Sequence, residues 1–265
     1  MNSSLLIAFR KIKKTLSGHR FGWSGDYNSW QEAVSKCTGY NAANILDKVK
    51  NATLKVKNGE AAYERDSVLF DKPEFSHPLL STVLWAALNN QGHLNVADFG
   101  GALGSSYFQN KKFLDAVTNL HWNVIEQPNF VESGSNDIAD ERIRFFSTIA
   151  EADSTFKTNL LVISCAIHYM EKPYELIEQL TGFNIPYILV DNTPYNYEDR
   201  DRITVQEVPP SIYTASYPCW FLDYKKIIEA FRKKYRLVSE HNNEDFIELD
   251  GRKIRYRGFL MELKK

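Results

Sequence analysis

Between Leu94 and Asn192 the chain repeats one pattern: a short apolar run, a turn, and a stretch of helical period. The runs are "LNVADF", "WNVIEQ", "IRFFST", "NLLVISCAI" and "YILVDN", with "PYELIEQLTG" the clearest of the helices between them. Strands so short and apolar offer water no polar face and need cover on both sides. Helices alternating with them give that cover in a parallel sheet. The final stretch, "DYKKIIEAFRKKYRLVSEHNNEDFIELDGRKIRYRGFLMEL", reads as helix, strand and second strand around the Asp250-Gly251 turn signal. The expectation is an α/β sheet finished by an antiparallel hairpin.

Upstream, the segment from Phe21 to about Phe70 is rich in aromatics and turn residues and shows no such alternation. It predicts an N-terminal helical cap over residues 1–92, with the sheet domain in residues 93–265. Ser29 stands three residues before Glu32, a capping-box spacing, and Asn41 opens "AANILDKVKNATLKV" at helical period. After Pro78 the helix "LLSTVLWAALNNQG" closes at Gly92.

The 32 basic and 33 acidic side chains nearly cancel, so no global field draws the chain to nucleic acid. Three scattered cysteines (Cys37, Cys165, Cys219) form neither a disulfide framework nor a zinc site, which points to a reduced, cytoplasmic protein. The apolar run Leu5–Phe9 is too short for a signal or membrane span. With the basic residues after it, residues 1–16 are either a docked first helix or a weak peripheral contact with lipid. The six histidines show no H-x-x-H or H-E-x-x-H spacing, so no metal is expected.

The first strand of the alternation runs into "DFGGALGSS", with three glycines in five residues. In an open parallel sheet the ligand sits beyond the carboxyl ends of the strands, and the first turn is the usual place. The spacing decides among ligands. Starting G-x-G-x-x-G at Gly100 puts Ala102 and Ser105 where glycines belong, and no Gly-Lys-Ser/Thr ends the turn, so dinucleotide and P-loop sites both fail. What remains is Gly100, Gly101 and Gly104 with Asp98 at one strand end and Glu126 at the next. A carboxylate at Glu126 can accept hydrogen bonds from vicinal ribose hydroxyls, and one at Asp98 suits a cationic ligand. S-adenosylmethionine, a nucleoside bearing an amino acid and a sulfonium, meets both demands. Ser105 and Ser106 are expected to begin the helix against it, with Tyr107 facing either ligand or core.

"VADFGGALGSSYFQ", "WNVIEQ" and "LLVISCAIHYMEKPYELIEQL" resemble motifs of the Rossmann-like S-adenosylmethionine-dependent methyltransferases. "GYNAANIL", "ERDSVLF", "VIEQPNFVESG" and "SIYTASYPCWF" are similar to a bacterial methyltransferase family often found among surface-polysaccharide biosynthesis genes. The resemblance implies a mostly parallel seven-stranded sheet with a C-terminal antiparallel hairpin. It further implies that Asp98, Gly100, Gly101 and Gly104 form the cofactor turn, that Glu126 holds the ribose, and that Gln127 lies beside the adenine. Thr148 and Ser164, Cys165 and Ala166 would line the adenine and methyl regions. Ser147 and Thr148 stand where many such enzymes keep an acid or amide.

For catalysis, His168 just past the fourth strand could take a hydroxyl proton or only pack over the cofactor, with Tyr169 as a wall. Asp191, at the end of the fifth strand, could orient an acceptor hydroxyl or a base, or cap the turn into Pro194. Tyr213, Tyr217 and Trp220 form either an aromatic wall for a sugar ring or packing against the sheet. Arg65 could bind the methionine carboxylate from the cap or pair with Glu64 or Asp66 at the surface. Together these describe a methyltransferase acting on a hydroxyl of a sugar or glycan precursor. The rivals are a small-metabolite methyltransferase and an inactive cofactor-binding scaffold subunit.

Overall fold

The computed structural model describes residues 21–38 and 42–265. The expectations for residues 1–16, for Gly39-Tyr40 and for Asn41 as a helix opener lie outside the described residues. In chain order the elements are β1 (Gly22–Tyr27), α1 (Trp30–Val34), α2 (Ala42–Lys57), the hairpin β2 (Tyr63–Arg65) and β3 (Val68–Phe70), and α3 (His77–Leu88). The alternating region follows as β4 (His93–Phe99), α4 (Ser105–Leu114), β5 (Asn119–Ile125), α5 (Pro128–Asp137), β6 (Ile143–Phe146), α6 (Ile149–Thr155) and β7 (Leu160–Ser164). After a 3-10 turn at Ile167–Tyr169 come α7 (Pro173–Gly182), β8 (Tyr187–Pro194), β9 (Arg202–Glu207), β10 (Ser216–Phe221), α8 (Tyr224–Arg232), β11 (Tyr235–Leu249) and β12 (Arg252–Leu263).

The main sheet has seven strands in the order β11-β12-β8-β7-β4-β5-β6. From β6 to β8 the pairings are parallel, while β12 is antiparallel to both β8 and β11. The expected sheet and hairpin are therefore present. Alternate residues divide between two cores as the pleat requires. Val96, Trp122, Val124, Val162 and Leu189 pack toward α2, α3, α4 and α5. Ala97, Ile125, Leu161, Ile163, Ile188 and Val190 pack toward α6, α7 and α8. Asp250 and Gly251 both have positive φ, 52° and 78°, the hairpin geometry that their sequence signals.

Among the described residues, the N-terminal segment is only partly helical, which corrects the helical cap as first read. β1 pairs antiparallel with β9, and with β10 they form a second sheet in the order β1-β9-β10. Gly22 and Gly25 look like turn punctuation in the sequence. In the fold they lie in a strand whose exposed Ser24 and Asp26 alternate with partly covered Trp23, Gly25 and Tyr27. The Arg202 guanidinium fixes this strand by donating to the Gly25 carbonyl at 2.8 and 2.6 Å. The capping box is also shifted: Ser29 Oγ accepts from Glu32 N, but the Glu32 carboxylate accepts from Asn28 N rather than from Ser29 N. Pro218 sits in β10, an edge strand, where a missing N–H costs no ladder bond.

The β11–β12 hairpin outruns the main sheet. Tyr256 pairs with Pro194 at the end of β8, so the residues between Phe246 and Arg255 project beyond the carboxyl edge. There Ile247, Leu249 and Ile254 pack on Cys219 and Phe221 of the second sheet, with Trp23, Tyr169 and Tyr256 around them. The arm and the small sheet thus stand as a wall over the edge where parallel α/β sheets bind ligands.

Candidate functional site

The strand order reverses between β4 and β7, and the glycine turn lies at this switch. Gly100 has φ 71°, and a Cβ there would lie 2.8 Å from the Ala166 Cβ, so no other residue fits without movement. A Cβ on Gly101 would lie 2.6 Å from the Asp98 carboxyl. Gly104 is the N-cap of α4 and offers no side-chain hydrogen bond, which leaves the first-turn N–H groups of that helix open to a ligand.

Asp98 is turned inward. It is 1% exposed, lies beneath the turn, and accepts from the Trp122 indole N–H at 2.9 Å. Burial pushes its carboxyl up to about 7 against the pull of the Trp122 bond, and the neighbouring Glu126 charge adds to the rise. The acid lies against Gly101 and is held there by Trp122, which reads in the sequence only as a strand residue.

Glu126 stands just past β5 and reaches across to the turn. Its Oε1 accepts from Ala102 N at 3.3 Å and its Oε2 from Gln127 N at 2.8 Å. Burial raises this carboxyl too. Gln127 follows, exposed, as the N-cap of α5. Ser105 begins α4 as expected, but its hydroxyl donates to Glu64, a buried acid at the base of the β2–β3 hairpin that also accepts from Ser67 N at 3.1 Å. Burial brings Glu64 to about 7. Tyr107 faces the core, 5.9 Å from Trp122 between ring centroids.

The raised acids carry a testable sign. Between about pH 4, where an unfolded carboxyl releases its proton, and about pH 7, the native state holds protons that the unfolded chain has lost, so stability falls as pH rises. Asp98→Asn, which keeps the Trp122 acceptor, is expected to remove a slope worth on the order of 3 kcal/mol across that window. Urea denaturation at a series of pH values measures it, and parallel curves for variant and parent overturn the assignment.

Thr148 caps α6: its Oγ1 accepts from Glu151 N, and Glu151 Oε2 in return accepts from Ser147 N and Thr148 N. The third-motif position is thus committed to a helix start. Glu151, three residues later, takes the backbone N–H groups there. Ser164 ends β7. Cys165 follows at φ 54°, exposed to solvent, and Ala166 touches the glycine turn.

His168 lies in the 3-10 turn at 1% exposure, 4.1 Å from the Tyr169 ring. Its Nδ1 has no partner among the described residues, and burial lowers the imidazole to about 3. A ring so buried has little access to solvent, which favours the packing alternative for His168 over the base. Tyr169 donates to Gln206 Oε1 at 2.8 Å and meets Tyr217 edge-on at 5.3 Å. Tyr213 and Tyr217 are partly buried against the core. Trp220 stacks on Trp30 and donates to the Glu171 carbonyl, so it packs α1 onto the second sheet. Arg65 pairs with neither Glu64 nor Asp66. Its guanidinium donates to Asp245 on the projecting arm at 3.2 Å.

At Asp191 the structure assembles more than the sequence announces. Asp191 is 3% exposed, and its Oδ1 accepts from Asn192 N at 2.8 Å and from Asn243 Nδ2 at 3.3 Å. The same oxygen lies 2.8 Å from His241 Nε2. Asn192 Nδ2 donates to Ser164 Oγ at 3.1 Å, and Cys165 N to the Asp191 carbonyl at 3.1 Å, which ties the group to the loop touching the glycine turn. His241 and Asn243 come from β11, fifty residues away in sequence, and no spacing rule signals them. Among the described residues no group of three or more His, Cys, Asp or Glu could hold a metal, and no helix is long and apolar enough to cross a membrane.

No family profile matches the chain, and no curated relative does. Among solved structures it is similar to a SAM-dependent methyltransferase of Methanosarcina mazei, at 11% identity over 72% of this chain and 99% of that one, with a TM-score of 0.49. It is also similar to the glycopeptide N-methyltransferase MtfA in complex with sinefungin, at 11% identity, 70% and 87% coverage, and a TM-score of 0.47. The N-methyltransferase NodS of Bradyrhizobium japonicum WM9 with S-adenosyl-L-homocysteine matches at 12% identity, 81% and 100% coverage, and 0.43. All three scores fall below 0.5, so what this site holds has to be read from its own side chains.

Proposed function

We propose that the chain is an S-adenosylmethionine-dependent methyltransferase that acts on a hydroxyl of a sugar or glycan precursor. The observation that carries this is Glu126, set across the switch-point turn with its carboxylate on the Ala102 amide. In this reading the carboxylate accepts from vicinal ribose hydroxyls, beside a backbone cradle that a side chain at Gly100 or Gly101 would fill. Residues 93–265 then carry the cofactor and residues 1–92 contribute its cover.

When bound, S-adenosylmethionine supplies a methyl group activated on a sulfonium. The chain's own part is to hold and align. Glu126 and Gln127 take the nucleoside, the amides of Gly100 to Ala102 and of the α4 start approach it, and Ala166 and Cys165 border the methyl side. Asp98 supports the turn through Trp122. Arg65 takes the methionine carboxylate only by releasing Asp245, so in this reading that ion pair opens on loading. The free cysteines Cys37, Cys165 and Cys219 suit a cytoplasmic setting. Methyl transfer is a displacement in which alignment and exclusion of water supply most of the acceleration, and the wall formed by the arm and second sheet serves that end.

Calorimetry with S-adenosylmethionine and S-adenosylhomocysteine tests this. Binding is expected with a Kd below about 1 mM, and Glu126→Ala is expected to weaken it by about 10- to 100-fold, the loss of one or two hydrogen bonds to a charged acceptor. Silence from both ligands refutes the proposal. Undiminished binding to the Glu126→Ala variant removes the ribose assignment.

A further inference from the structure

Three parts of the chain meet at the glycine turn. The first is the tip of the β2–β3 hairpin. Ser105, the first residue of α4, donates to one Glu64 oxygen, and the other accepts from Ser67 N at 3.1 Å, so the tip is tied to the helix that the turn begins. Asp66 and Ser67 at this tip both have positive φ, 51° and 64°, the paired left-handed conformation of a tight hairpin turn. The second part is the loop after β7, where Ala166 lies against Gly100 and Cys165 stands next to it. The third is a set of phenols: Tyr169 from the 3-10 turn, Tyr217 from β10 and Tyr256 from β12. Tyr169 and Tyr217 meet edge-on at 5.3 Å.

These groups share one space. Of the charges that act on the Cys165 thiol, Asp66 acts most strongly. Tyr217 and Tyr256 each feel both Asp66 and Cys165. Asp66 and Cys165 are exposed and the three tyrosines half-buried, yet burial raises every one of them, Cys165 to about 12. A group that water reaches, while the surrounding protein still disfavours its charge, stands in a recess and not on a convex surface. One side of this recess is the loop that touches the glycine turn.

Within it the Asp66 carboxylate has no counter-charge of its own. Among the described residues it accepts no hydrogen bond and forms no ion pair. Arg65, next in the chain, donates instead to Asp245 at 3.2 Å, and its charge only partly offsets the effect of burial on Asp66. In the loaded state described above the guanidinium moves to the methionine carboxylate, again not to Asp66. A desolvated carboxylate without a partner is costly, and a ligand that brings a cation removes the cost. The faces of phenol rings favour the same charge.

Resting on the methyl-transfer reading above, we propose that Asp66 seats a protonated amine of the acceptor, so that the substrate is an amino sugar whose reacting hydroxyl lies toward Cys165 and Ala166. The contact also sets which atom is methylated. An ammonium has no lone pair, so while Asp66 holds the proton on nitrogen that nitrogen cannot attack the methyl carbon. The neighbouring hydroxyl is left to do so.

The test is calorimetry on the full chain, free and saturated with S-adenosylhomocysteine, at about pH 6, where alkyl amines carry their proton. The probes are methyl α-D-glucopyranoside and its four analogues with an amino group in place of the hydroxyl at carbon 2, 3, 4 or 6. At least one analogue is expected to bind about 10- to 100-fold more tightly than the parent glycoside, the worth of a hydrogen bond between charged groups. N-acetylation of that analogue, and Asp66→Asn in the protein, are each expected to erase the difference. Asparagine adopts the left-handed conformation readily, so the variant keeps the turn, and its urea unfolding transition reports that it is folded. No analogue tighter than the parent glycoside, or a difference that survives either change, overturns the proposal. Should S-adenosylhomocysteine fail to bind, the methyl-transfer reading falls by itself, while the glycoside comparison on the free chain still decides the role of Asp66.

Discussion

Gly100→Ala is expected to destabilise the protein by about 2–5 kcal/mol and to abolish measurable cofactor binding. Two costs add. A non-glycine residue held at positive φ costs about 1–2 kcal/mol, and a methyl forced into a filled space costs about 1–3 kcal/mol more. The second cost has a named source, the Ala166 Cβ at 2.8 Å from the added atom. Ala166→Gly in the same chain should therefore restore the packing share and leave the backbone share. Urea denaturation of the two single variants and the double gives the coupling directly. At about 2–4 °C per kcal/mol for a chain approaching this size, thermal unfolding should resolve it as well. Additive losses would show that Gly100 and Ala166 do not meet, and with that the loop after β7 would lose its place against the turn.

Gly258→Ala is expected to expel His241 from Asp191, at a cost of about 2–5 kcal/mol: about 1–3 for the overlap and the remainder for a buried carboxylate that loses a donor. The same substitution in a His241→Ala background should cost markedly less, because the ring it strikes is gone. Only the approach to Asp191 Oδ1 at 2.8 Å then remains. Urea denaturation of the two single variants and the double measures the difference. A stability cost independent of residue 241 would mean that Gly258 serves the β12 backbone alone.

The parallel core was legible because its signal is local. Each of "LNVADF", "NLLVISCAI" and "YILVDN" carries in a few residues the demand for cover on both faces, and the structure delivers strands there. The turn geometry was legible for the same reason, since the positive φ of Gly100, Asp250 and Gly251 is a local demand that the residue types signal. What stayed hidden depends on partners far along the chain. β1 becomes a strand because β9 is there to pair with it, and two glycines mask that capacity. The Trp122 partner of Asp98, 24 residues on, is not signalled by any local pattern. Arg65 finds Asp245 rather than the acids beside it, because the hairpin tip faces the arm. His168 stands at the right strand end, yet the 3-10 turn buries it, and that burial lowers its imidazole. His241, with nothing around it in sequence to mark it, acquires its partner only through the register that sets it opposite Gly258.

That register also fixes the order in which the molecule can become competent. β12 fits between β8 and β11, and β1 is fastened to β9 some 180 residues downstream. Contacts of such long separation form late, after the local strand-helix units have condensed. A nascent chain can thus shape the glycine turn while it still lacks the His241–Asp191 pair and the wall above it. Cofactor capture would then precede acceptor capture during biogenesis, and S-adenosylhomocysteine should act as a ligand that helps the half-built sheet wait for its last strand.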